Sequence, residues 1–153
     1  YYCCSQGVGV SNRFLAMPGA RTRIIGLQMY KYRIEGFLQW GYNFYNSQYS
    51  VSHIDPYQCN DGEYFVPAGD AFSVYPAPDG TPYETLHYRQ FAEGLSDMRA
   101  FALAESLIGR DAVLAILDSA PDGEITFSHY PSDAASLLGV REKINAAIAA
   151  ALR

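Results

Sequence analysis

Within ARTRIIGLQMYKYRI, apolar residues fall at Ile24, Ile25, Leu27, Met29, Tyr30 and Ile34, close to helical spacing, and predict a helix over residues 20–34. Pro18, in the Met17-Pro18-Gly19 break, suits the start of that helix, and Gly36 is expected to end it. Gly26 inside it costs about 1 kcal/mol relative to alanine, so it marks a point of close packing. A second helical pattern begins near Leu86. It turns Phe91, Leu95, Met98, Phe101, Ala102, Leu103 and Leu107 inward and stops at Gly109. RDAVLAILDSA reads as a third helix, and Ser132 or Asp133 caps a last one running to Leu152. The extended readings are shorter: residues 1–4, FLQWGY (37–42), AFSVYP (71–76) and EITFSHYP (124–131). APDGTP, with Asp79-Gly80 at its centre, is a turn, as is Pro121-Asp122-Gly123.

The resulting order is strand, helix, strand, long loop, strand, then helices. Alternation of this kind predicts an α/β domain with a parallel sheet. A parallel sheet is normally covered on both faces. Three strands do not achieve that alone, so either more chain completes the sheet or the piece associates with itself through its exposed sheet edges as a homo-oligomer. The opening YYCC reads as a strand already under way and leads us to expect a segment of something longer. Residues 43–71 form a polar, aromatic loop of a length that is usually functional or flexible.

Composition narrows the function classes. Of 153 residues, 49% are hydrophobic and 18% charged, which suits one ordinary globular domain. A formal net charge of −5, with no basic stripe, argues against a nucleic-acid partner. No apolar run approaches the ~20 residues of a membrane helix, so no membrane partner is expected. The three cysteines, Cys3, Cys4 and Cys59, lack metal-ligand spacing and read as free thiols of a reducing compartment, which leans towards the cytoplasm. A bridge from Cys59 to Cys3 or Cys4 is the competing reading. No cofactor is expected. Gly7–Gly9 is not a phosphate loop, because no GKS/T follows.

The runs SNRFLAMPGARTRIIGLQMYKYRIEGFLQWGYNFYNSQYS, VPAGDAFSVYP and EGLSDMRAFALAESLIGRDAVLAIL resemble, in order and over nearly the whole chain, an uncharacterised bacterial domain family related to the glycoside hydrolase family 123 catalytic domain. The resemblance implies a (β/α)8 TIM-type barrel. It implies that residues 1–109 are the C-terminal part of that barrel, about strands six to eight, and that 110–153 are a helical extension packed on it. Family 123 enzymes resemble the substrate-assisted glycosidases, in which an acetamido group of the substrate replaces the nucleophile and an adjacent Asp-Glu pair serves it. No Asp-Glu dipeptide occurs in this chain, so the resemblance puts the acid upstream of Tyr1. His87 and Arg89 stand where the family often carries an arginine and an acid, a departure that weakens transfer of function to that segment.

Barrel active sites sit where strands end and loops begin. On that placement, WGYNFYN and CCSQG lie at strand ends. Trp40 would offer an aromatic face to the C–H side of a sugar ring, and Tyr42, Asn43 and Tyr45 would offer hydroxyl and amide groups to its hydroxyls. The plain alternative is that Trp40 and Tyr42 fill the barrel mouth as packing. Asp70, after Gly69, either binds a sugar hydroxyl or bonds the backbone of its own loop. Asp55-Pro56 and Asp61-Gly62 read as ordinary turns. Glu93 and Asp97, with Arg89 and Arg99 nearby, read as a salt network on one helix face. Arg21 and Arg23 either pair with carboxylates elsewhere or lie on the surface. His53, within the aromatic loop, reads as a donor to a ligand, whereas His87 and His129 read as structural or exposed.

Three functions remain open at this point. The chain is part of a glycoside hydrolase, contributing carbohydrate-binding walls while the acid lies elsewhere. Alternatively it is a non-catalytic α/β module for carbohydrate binding, or one for homo-oligomeric assembly.

Overall fold

The computed structural model describes residues 1 and 9–153. The expected first strand beyond Tyr1, the CCSQG stretch, Cys3, Cys4 and the start of the GVG run lie outside the described residues. Among the described residues, four α-helices carry the core: α1 (Ala20–Lys31), α2 (Leu86–Ile108), α3 (Arg110–Leu117) and α4 (Ala134–Ala151). Two short strands, β1 (Val74–Pro76) and β2 (Pro82–Glu84), form an antiparallel hairpin ahead of α2. Helices plus this small sheet make a mixed α/β chain.

Gly26 is where α1 and α2 meet. A Cβ there would lie 1.9 Å from the Gly94 carbonyl oxygen, and one on Gly94 would lie 2.5 Å from that of Arg23. Only two glycines allow the backbones so close. Beside them, Ile24, Leu27, Phe101, Val113, Leu117 and Ile144 belong to one buried cluster fed by all four helices. Asp97 is buried and ties three helices together. It accepts from Arg23 of α1 through Nε at 2.7 Å and Nη2 at 2.9 Å, and from Arg141 of α4 at 2.6 Å. The salt network expected on one face of α2 among Glu93, Asp97, Arg89 and Arg99 is not the one found among the described residues: Asp97 is joined to arginines of two other helices, and Arg89 pairs with Glu84.

Two helix expectations change. α1 stops at Lys31, short of Ile34 and before Gly36 is reached. The Ile34 N–H bonds the Met29 carbonyl and the Arg33 N–H bonds that of Tyr30, while Arg33 takes φ +50°, so a Schellman turn closes the helix without a glycine. Arg110 adds a donor to the freed Lys31 carbonyl at 2.7 Å. On α2, the buried stripe is Gly94, Asp97, Ala100, Phe101 and Ala104. Ala102 and Leu103 point outward, because the glycine crossing with α1 fixes which face of the helix is inside.

The expected strand AFSVYP is regular only over Val74–Pro76, and EITFSHYP forms no regular strand, but two helix starts are capped by side chains. The Thr85 side chain accepts from the Tyr88 N–H at the start of α2, and Asp133 accepts from Ser136 at the start of α4. Gly109, at φ +83°, breaks α2 from α3.

The expected parallel sheet is not a set of regular strands among the described residues. The paired strands there are antiparallel, Val74 opposite Glu84 and Pro76 opposite Pro82. FLQWGY makes isolated contacts, because Gly41 turns the chain at φ +63° and a Cβ there would lie 2.5 Å from the Ala71 carbonyl oxygen. One parallel signature survives at Tyr1. Its nitrogen donates to the Gly36 carbonyl at 2.7 Å and its carbonyl accepts from Leu38 N–H at 2.8 Å. One residue bonding to j−1 and j+1 of its neighbour is the slanted pattern of a parallel ladder. The Tyr1 and Phe37 rings stack on the same side, 5.9 Å apart.

Candidate functional site

Three stretches far apart in sequence converge beside β1: residues 11–15, 40–46 and 69–73. Leu15 N–H bonds the Ala68 carbonyl, Phe44 N–H bonds that of Ala71, and Ser73 N–H bonds that of Tyr42 at 2.7 Å. Asn43 and Phe72 form an antiparallel bridge. Gly69, at φ +81°, lets the chain pass where a Cβ would meet the Leu15 side chain at 2.6 Å.

Arg13 sits at the centre of this convergence and is 2% exposed. Nη1 donates to the Ser73 hydroxyl at 2.5 Å and Nη2 to the Trp40 carbonyl at 3.5 Å. Nε finds no acceptor among the described residues. A buried guanidinium tied to two other chain stretches locks the three together. His87, half-buried at the start of α2, lies beside it. Burial first, then the charge of Arg13, hold the His87 imidazole below its ordinary value of 6.5, against a hydrogen bond with the Phe14 backbone. A second buried polar chain runs behind. Ser11 donates to Gln28 Oε1 at 2.6 Å, Gln28 donates to the Thr126 carbonyl at 2.9 Å, and Thr22 donates to the Asn12 carbonyl at 3.0 Å.

The sequence-derived candidates divide by exposure. Tyr42 and Asn43 reach solvent, and the Tyr42 ring stands edge-on to Tyr88 at 6.2 Å. Trp40 is half-buried, its ring packed against Phe44 at 5.4 Å and edge-on to Phe65 at 5.7 Å. Tyr45 lies against Phe72 at 5.5 Å, and its hydroxyl donates to the Val74 carbonyl at 2.7 Å. Asp70 is 2% exposed, directly before the buried run Ala71–Val74, and its N–H bonds the Pro67 carbonyl. Thus the five gather in one neighbourhood, with Tyr42 and Asn43 at the surface and Asp70 below it. His53 and His129 are exposed, and His129 Nε2 bonds the Asp122 carbonyl at 2.7 Å.

Sequence reasoning passed over Arg13, which stood in an unremarkable loop. Its partners Ser73 and Trp40 are remote in the chain, and no local pattern announces them. Of the two readings open to Arg23, pairing and surface, the structure shows pairing, with Asp97. Cys59 is a free, half-buried thiol whose Sγ–H bonds Asp61 at 3.3 Å. Among the described residues no cluster of three or more His, Cys, Asp or Glu side chains suits a metal, and no helix is long and apolar enough to cross a membrane.

A comparison with curated proteins gives no match. A comparison with protein-family models matches residues 1–104 to the glycoside hydrolase 123 catalytic domain. That match takes in α1, the aromatic loop, the hairpin, all three converging stretches and most of α2. The chain therefore belongs to the glycoside hydrolase 123 catalytic-domain family.

Proposed function

We propose that this chain is the C-terminal part of a (β/α)8 glycosidase barrel acting on carbohydrate. On this reading residues 1–109 are about strands six to eight with their helices, and 110–153 are a helical extension against the barrel wall. The chain supplies binding walls for the sugar, and the catalytic acid comes from upstream residues. The observation that carries the reading is the convergence of residues 11–15, 40–46 and 69–73 around buried Arg13. Loops from separate strands meeting at one end are how a barrel builds its site. The parallel bonding of Tyr1 with Gly36 and Leu38 adds support, as does the family match over residues 1–104.

In this reading Tyr42 and Asn43 hydrogen-bond sugar hydroxyls, and the exposed part of the Trp40 ring meets a C–H face. Tyr45 and Asp70 stand behind them. Tyr45 fixes the wall through its bond to Val74, and Asp70 contributes a carboxylate beneath it. The chemistry assigned to the whole barrel is substrate-assisted hydrolysis, in which the substrate acetamido oxygen attacks the anomeric carbon and the acid protonates the leaving oxygen.

The test is hydrolysis of aryl glycosides by the polypeptide that carries this segment together with an Asp-Glu pair. The 2-acetamido glycoside should be cleaved and its 2-hydroxy counterpart should not. A Tyr42→Ala, Asn43→Ala double variant should lose about tenfold or more in kcat/KM. Equal cleavage of both glycosides, or an unaffected double variant, contradicts the proposal.

A further inference from the structure

The long loop encloses a cleft of its own, away from Arg13. Between Pro56 and Tyr64 it closes on Tyr75 of β1 around about 410 Å³, lined by Tyr57, Tyr64, Tyr75, Asn60, Asp61 and Glu63 among others. The Tyr57 and Tyr75 rings lie 5.1 Å apart at 39°, and the Tyr57 hydroxyl donates to the Pro76 carbonyl at 2.7 Å. The far side is a turn with three successive left-handed residues, Gly62 at φ +63°, Glu63 at +62° and Tyr64 at +66°. Left-handed backbone is costly for side-chain-bearing residues, and here it holds up a tyrosine that is 96% exposed.

Asp61 organises that turn. Its carboxylate accepts from the Tyr64 N–H at 3.2 Å and the Cys59 thiol at 3.3 Å, and its carbonyl accepts from Phe65 and Val66 N–H, each at 3.0 Å. The bonds from the Tyr64 backbone and then the Cys59 thiol hold the Asp61 carboxyl below its ordinary value, so it stays an ionised acceptor.

The lining selects a ligand class. No lysine or arginine contributes to it, and two carboxylates do, so anions are repelled. Three tyrosines, two carboxylates and the Asn60 amide line it, a set able to meet C–H groups, to accept from hydroxyls, and to donate to them. A neutral polyhydroxylated ring matches that set. We propose that this cleft binds a neutral sugar ring of an extended glycan, separately from the Trp40–Tyr42 surface. The inference rests on the reading of the chain as glycan-directed, and it deepens that reading by adding a second contact point along the glycan.

The test uses the full chain and chitotetraose as probe, read by saturation-transfer NMR. Tyr64→Asn removes the ring but suits left-handed backbone. Tyr49→Asn is its control, since Tyr49 is 87% exposed at φ +57° and lies outside the cleft. Transfer to the probe is expected in the unsubstituted chain and in Tyr49→Asn, with at least a fivefold loss in Tyr64→Asn. Full transfer in Tyr64→Asn, or none in the unsubstituted chain, overturns the cleft. Transfer that survives Tyr64→Asn but falls in Tyr42→Ala also overturns it, while leaving the hydrolase reading standing. Conversely, Tyr64-dependent binding in a polypeptide that fails the 2-acetamido glycoside assay upholds the cleft and refutes the hydrolase.

Discussion

From α1 across α2 to α4, charge meets charge directly and backbones touch at a pair of glycines. Between residues 36 and 85 the same chain has little regular structure and is held by different means. There a buried arginine reaches two remote stretches, tyrosine hydroxyls bond carbonyls, and aromatic rings lean on one another. In the helical region the backbone satisfies itself, and side chains are left to fill the core. In the loop region side chains must satisfy the backbone, so much of the polar chemistry is committed to shape. Tyr45, which reads as a ligand group in the sequence, donates its hydroxyl hydrogen to the Val74 carbonyl. Tyr64 is 96% exposed and Tyr42 44%, the latter with its ring edge-on to Tyr88, and on the proposed reading these two meet the glycan.

The contrast can be broken most severely at the helix crossing. Gly26→Val places two extra methyl groups beyond a Cβ that already collides with Gly94 backbone, and should cost about 3 kcal/mol or more. Chemical denaturation measures it, and a near-wild-type midpoint would mean that the crossing is not rigid. Next comes Asp97→Ala, which leaves Arg23 and Arg141 facing each other without their shared acceptor. It should cost about 2–3 kcal/mol, read in the same way. Thr85 joins the two regions, accepting from Tyr88 of α2 while donating to the Ser73 carbonyl at 2.7 Å. Thr85→Ala should cost about 1 kcal/mol, and Thr85→Ser should recover most of it.

The smallest effect is set by pH. His87 has a folded value below its unfolded 6.5, so as pH falls the unfolded chain takes up this proton first. Its contribution to stability is complete above 6.5 and is lost as pH drops towards the lower folded value. Melting temperatures between pH 7.5 and 5.5 should therefore fall less in His87→Gln than in the unsubstituted chain. Parallel declines would mean that burial and the neighbouring Arg13 do not hold His87 below its ordinary value.

Much of the helical region was legible because its signals are local. Gly109 broke a helix, Asp133 capped one, and Gly26 marked close packing by its cost to the helix. Where a signal had to be read across the fold, the sequence was mute. Asp97 and Arg23 are 74 residues apart, and nothing in either neighbourhood names the other. Arg33 ended α1 in a conformation usually left to glycine, so the visible Gly36 drew the boundary too late. In the loop region the aromatic run from Trp40 to Tyr45 was legible by composition, and the assignment of its members to packing or solvent was not, nor was the absence of a regular strand before it. Gly41 and Ala71 decide that by an approach of two backbones 30 residues apart. Asp61-Gly62 was legible as a turn, but the cleft beside it depends on Tyr75, which returns from β1.

The central claim is that the loop region meets carbohydrate while the helical region only supports it. Backbone amide shifts of the isotope-labelled full chain, followed during titration with chitotetraose, test this most directly. The account predicts shifts confined to residues 40–76, with α3 and α4 silent. Shifts centred on the helices, or an unmoved loop at saturating glycan, would contradict it.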